Sequence, residues 1–75
     1  MTLNEFITRF AEEFDETPLE NFQPSTNYRE LEEWSSLTAL SIISMVDEEY
    51  DKQITGADLR ANVTIEDLYN FIESK

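Results

Sequence analysis

Two adjacent hydroxyls, in Trp34-Ser35-Ser36-Leu37, stand at the head of a long apolar run and are the first place to look for chemistry in this sequence. If that run is helical, its start offers unpaired backbone N–H groups and the positive end of the helix dipole, a setting that favours a phosphate. Serine is also a preferred N-cap residue, so one hydroxyl at such a point has an ordinary structural use. A pair of serines leaves room for both roles, one capping the helix and the other presenting its oxygen outward.

Other reactive equipment is scarce. The chain has no histidine and no cysteine, which removes the commonest general base, thiolate nucleophiles, disulfides and Cys-based zinc sites. Asp47, Glu49 and Asp51 alternate as in a calcium loop. Counted from Asp47, however, the sixth place is Lys52 where glycine is required, and the twelfth is Asp58 where a bidentate Glu is expected. A paired-carboxylate hydrolase would need a pocket-sized scaffold and a second kind of catalytic residue, and neither is evident. The sequence therefore predicts no catalytic residue, no metal site and no enzyme activity.

The elements that must position the serines follow from apolar spacing. Leu3, Phe6, Ile7, Phe10 and Phe14 recur at intervals of three and four, which predicts a helix over residues 3–15, and Thr2 with Glu5 has the form of a capping box at its start. From Glu16 to Glu33 the period fails and Pro18 and Pro24 interrupt the chain, so a long loop is expected. Leu19, Phe22, Tyr28 and Leu31 are the residues to pin that loop to the helices, and Ser25-Thr26 could start a short helical turn. Leu37, Leu40, Ile43 and Val46, with Ile42, Met45 and Tyr50, predict a helix over 36–50 that touches neighbours on two sides. Ile54-Thr55-Gly56 reads as an extended stretch and turn, with the only glycine placed where a special backbone conformation would be useful. A brief helix at 57–61 follows. Thr64 and Asp67 then cap a helix over 65–74 carried by Ile65, Leu68, Tyr69 and Ile72. The fold class is all-α, a small bundle of three long helices and one short one, with residues 1–75 forming a single domain.

Seventy-five residues sustain one core, and nine aromatic side chains give it enough apolar surface to fold. Seventeen Asp and Glu against five Lys and Arg set the net charge at -12, which disfavours nucleic acid and attracts proteins with basic docking faces. No basic cluster precedes an apolar run at the N-terminus, and no apolar run approaches the roughly 20 residues of a membrane helix. A monomeric cytoplasmic protein with no membrane insertion is expected.

With these residues in view, the sequence resembles the acyl carrier proteins. That family carries Asp-Ser-Leu at the head of the second helix, then apolar residues at helical spacing and an acidic cluster closed by an aromatic residue. Here Ser36-Leu37 stands in the Ser-Leu place, and Leu40, Ile42, Ile43 and Val46 fill the apolar places. Asp47-Glu48-Glu49-Tyr50 closes the pattern without a gap. The likeness runs over nearly the whole chain, through the first amphipathic helix, the aromatic-bearing loop, the Ile54-Thr55 stretch and the Thr64-Ile65-Glu66-Asp67-Leu68 helix start. Ser35, where the family has Asp, is the departure, and Thr38 and Ser41 likewise fall where many members carry acids.

The resemblance implies a 4'-phosphopantetheine arm, taken from coenzyme A by a phosphopantetheinyl transferase and joined to Ser36, with Ser35 as the cap. Such an arm holds acyl intermediates as thioesters for fatty acid, polyketide or related biosynthetic enzymes, and its own thiol supplies the reactive sulfur that the chain lacks. Leu37, Met45, Asp47, Glu48, Glu49 and Asp58 are the residues expected to meet acyl-transferring or condensing enzymes. Ile42, Ile43, Val46, Leu59 and Ile72 could line a space for an acyl chain. The rival reading is an unmodified acidic helical module that binds a basic protein, and Ser35 in place of Asp is what keeps it open.

Overall fold

The computed structural model describes all 75 residues. Four helices surround one apolar core: α1 (Leu3–Glu12), α2 (Ser36–Tyr50), α3 (Gly56–Ala61) and α4 (Ile65–Glu73). The all-α class and the division into three longer helices and a short one are as expected. Phe6, Ile7 and Phe10 from α1, Ile42, Met45 and Val46 from α2, Leu59 from α3, and Ile65, Leu68 and Ile72 from α4 all lie in the core.

Each boundary has a local cause. Thr2 caps α1 by accepting the Glu5 N–H at 3.2 Å, but Glu5 returns no bond, so the expected capping box is only half formed. α1 also stops three residues short of the predicted end. The N–H groups of Asp15, Glu16 and Thr17 donate to the Glu33 carboxylate at 2.7, 3.0 and 2.8 Å, and the Thr17 hydroxyl joins them at 2.6 Å. Those hydrogen bonds take the chain out of the helix and hold the Glu33 carboxyl below the usual carboxylate range, the Thr17 hydroxyl contributing most. Phe14 stays buried just beyond the last turn.

The long connection is anchored differently from expectation. Its short 3₁₀ turns lie at Leu19–Asn21 and Tyr28–Glu30, whereas Ser25-Thr26 starts no helix; the Thr26 hydroxyl instead donates to the Asn21 carbonyl and accepts from the Gln23 N–H. Phe22 and Tyr28 are buried and Leu31 half-buried, but Leu19 is 64% exposed and pins nothing. Phe10 is the hub of an aromatic cluster, with ring centroids 5.6 Å from both Phe14 and Tyr28. Trp34 closes the cluster at 5.1 Å from Tyr28, and so ties the residues just before Ser36 to α1. Such pairs contribute roughly 0.5–1.5 kcal/mol each beyond their buried area. The loop also serves α4, whose Ile65 and Glu66 N–H groups donate to the carbonyls of Thr26 and Pro24.

α2 spans the residues predicted. It ends at Asp51, which turns left-handed at φ 54° while its N–H bonds the Asp47 carbonyl. That is the special conformation the sequence suggested for Gly56; Gly56 itself has no positive φ and is the first residue of α3. Lys52 reaches across to the carbonyls of Ile72 and Lys75, at the negative end of α4. Reciprocal capping boxes, Thr55 with Asp58 and Thr64 with Asp67, start α3 and α4.

Candidate functional site

Ser35 is the N-cap of α2. Its backbone is extended, its hydroxyl accepts the Thr38 N–H at 3.3 Å, and the Thr38 hydroxyl in turn bonds the Glu33 carbonyl at 2.9 Å. Ser36 is therefore the first helical residue. Its side chain is exposed and its hydroxyl makes no hydrogen bond within the protein. The N–H groups of Ser36 and Leu37 have no acceptor either. An oxygen bonded to nothing, at the positive end of a helix, beside two open donors, is an arrangement that suits attachment of a phosphate.

A groove of about 350 Å³ opens beside this hydroxyl, lined by Trp34, Ser35, Ser36 and Ala39 on one side and Gly56 and Leu59 on the other, with Arg29 and Arg60 completing it. Its apolar wall and two guanidinium groups fit a phosphate that continues into an uncharged chain. In this respect the residues present suit a phosphopantetheine group.

The remaining predicted residues separate into two sets. Leu37 is 77% exposed, and Asp47, Glu48 and Glu49 are exposed along α2. Glu49 is paired with Arg9 of α1, so part of its charge is already met. Asp58 has its carboxylate bound to the Thr55 N–H at 2.9 Å in the α3 cap, which makes its first role structural. Met45 is 5% exposed and packs in the core, with only an edge reaching the groove between α1 and α2.

Leu40, 60% exposed, takes the outward place instead. Leu37, Leu40, Ser41, Ser44 and Glu48 follow one helical stripe, and the switch from leucine to serine along it was the signal that this face leaves the core. Together with Arg9, Glu12 and Glu13 this stripe borders a groove of about 510 Å³ between α1 and α2. Burial pushes the Glu13 carboxyl up, helped by Glu12, Glu48 and Glu49, which marks the rim as strongly negative. Ile42, Val46, Leu59 and Ile72, suggested as the lining of an acyl space, are packed in the core, and Ile43 lies half-buried against it.

A family model described as the phosphopantetheine attachment site matches residues 4–72. The chain belongs to the phosphopantetheine-carrier family, as the acyl carrier resemblance implied. The match takes in all of α2, α3 and the aromatic loop and nearly all of α1 and α4, and the helical bundle agrees with it. No curated protein and no solved structure matches the chain. A covalent 4'-phosphopantetheine group is accordingly the prosthetic group of this domain, and its role is that of a carrier. No helix is long and apolar enough to cross a membrane.

Proposed function

We propose that residues 1–75 form one acyl carrier domain, without catalytic activity of its own, whose arm is joined to Ser36. The observation that carries this reading is the division of labour between the serines. Ser35 is consumed by the cap and Ser36 is left unbonded and outward at the helix start. When attached, the arm supplies a thiol that holds a cargo as a thioester. The chain contributes an accessible hydroxyl, a helix end suited to the phosphodiester, and a face for partner enzymes.

That face is the outward stripe of α2. Leu37 and Leu40 offer apolar contact, and Asp47 and Glu48 offer charge to transferases and acyl-transferring or condensing enzymes with basic surfaces. Modest, charge-steered contacts suit a monomeric cytoplasmic carrier that must visit several enzymes and leave each quickly. We assign the cargo to acyl intermediates of fatty acid, polyketide or related biosynthesis, on the strength of the Ser36-Leu37 motif and the acidic close of α2.

The test is intact-mass measurement after incubation with coenzyme A and a broad-specificity phosphopantetheinyl transferase. Wild type and Ser35→Ala gain one arm, and Ser36→Ala gains none. An unchanged wild-type mass would overturn the assignment in favour of an unmodified interaction module.

A further inference from the structure

The distribution of positive charge is the least expected feature of this surface. Of the five basic side chains, Arg9 pairs with Glu49, Lys52 binds the carbonyls of Ile72 and Lys75, and Lys75 lies 5.1 Å from the centre of the Phe71 ring. Arg29 and Arg60 have neither a carboxylate partner nor a side-chain hydrogen bond, although the chain holds seventeen acids. These two come from distant points in the sequence, a loop turn and α3, yet both line the groove beside Ser36. No Asp or Glu lines it.

Unpaired cations on a protein of charge -12 would ordinarily be expected to find acids, so their gathering in one acid-free groove calls for a ligand of opposite charge. Two local features keep the groove as it is. Ser35 is neutral, whereas an aspartate there would stand in the same lining and could neutralise an arginine. Gly56 has no side chain, and an added Cβ would sit 3.4 Å from an Arg60 guanidinium nitrogen, so that guanidinium rests against bare backbone. Guanidinium groups present planar, forked donors that match phosphate oxygens, and a lysine ammonium would not hold them in the same way.

We propose that Arg29 and Arg60 clasp the phosphodiester of the arm on Ser36, so that the first part of the arm lies in the groove between α2 and α3 and is not free in solvent. The inference rests on the assignment of the arm to Ser36. Arg29 and Arg60 are positioning residues here; they orient the arm and take no part in acyl chemistry. The apolar wall of Leu59, Ala39 and Trp34 then receives the uncharged atoms next to the phosphate.

The experiment compares thermal melts of the apo and holo forms of the full chain, for wild type and for Arg29→Gln/Arg60→Gln, with intact mass establishing that each holo sample carries the arm. A clasp raises the melting temperature of wild type on loading by several degrees, and the increment disappears in the double variant and shrinks with added salt. In wild type alone, the Nε–H resonances of Arg29 and Arg60 shift on loading, and the ³¹P signal of the phosphodiester sharpens in the double variant as the arm gains freedom. Equal increments in the two proteins, with unmoved arginine resonances, would sink the clasp while leaving the arm on Ser36 intact. A double variant that loads slowly but keeps the full increment would also overturn it, since the arginines would then serve the transferase encounter. Failure of wild type to gain mass counts against the arm on Ser36 itself, whereas failure of the double variant alone overturns the clasp in favour of a role for the arginines in the transferase encounter.

Discussion

Tyr28 is fully buried, and its hydroxyl is shared between the carbonyls of Leu59 at 2.6 Å and Asn62 at 3.0 Å. Burial pushes the phenol up to about 12, with Arg29 pulling the other way and Asp67 adding to the rise. The folded value exceeds the unfolded one, near 10, so the unfolded chain loses its proton first. Stability from this group is complete below about pH 10 and is lost as pH climbs towards 12. Replacing Tyr28 with Phe leaves two acceptors at the end of α3 unsatisfied. We expect a loss of about 1–2 kcal/mol at pH 7, measured by urea unfolding, and a shallower decline between pH 10 and 12. Some decline persists, because burial also raises Tyr50 and Tyr69. An unaltered alkaline profile would exclude the linkage. At this scale the sequence was informative where a role depends on near neighbours: the Thr64–Asp67 box is a four-residue pattern, and a serine cap at the head of α2 was expected, with the family resemblance assigning it to Ser35. It was uninformative for Met45 and Leu40, because α2 is apolar around much of its girth and only the positions of the other helices decide which side faces outward.

Helix ends divide in the same way. α2 was legible at its start, which is set by a side chain one residue away, and its apolar run gave the last residue, although the left-handed turn that ends it falls at Asp51 and not at Gly56. α1 was overestimated because its stop depends on Glu33, 16–18 residues further on, which takes the N–H groups that could otherwise have continued the helix. The meeting of Arg29, Ser36 and Arg60 is likewise a product of tertiary packing and has no local pattern. The end of α2 offers a direct test. Asp51 holds a left-handed backbone that costs a residue with a Cβ about 1 kcal/mol, and it sets a negative charge at the negative end of a helix with no base in its last turn. Asp51→Gly should therefore stabilise the protein by about 0.5–1 kcal/mol in thermal or urea unfolding. A destabilised variant would mean that the carboxylate is held by an interaction the backbone does not reveal.

Across the whole molecule, charge opposes cohesion. Carboxylates crowd the α1–α2 rim, where Glu12, Glu13, Glu48 and Glu49 share a groove with Arg9 as its only base. Raising salt from low to moderate concentration should raise the melting temperature of the unmodified protein by screening that repulsion. A flat or falling trend would indicate that attractive pairs outweigh the repulsive ones. The same screening weakens any charge-steered association, so conditions that favour the isolated fold should slow its meetings with basic partners.

One internal contact acts well beyond its own energy. The Tyr28 hydroxyl joins the Leu59 carbonyl, and the residues that come next along the chain at either end of that bond are Arg29 and Arg60. A phenol sealed in the interior thus fixes the main-chain positions from which two surface arginines extend. That backbone spacing is held from beneath by the core, before any anion arrives.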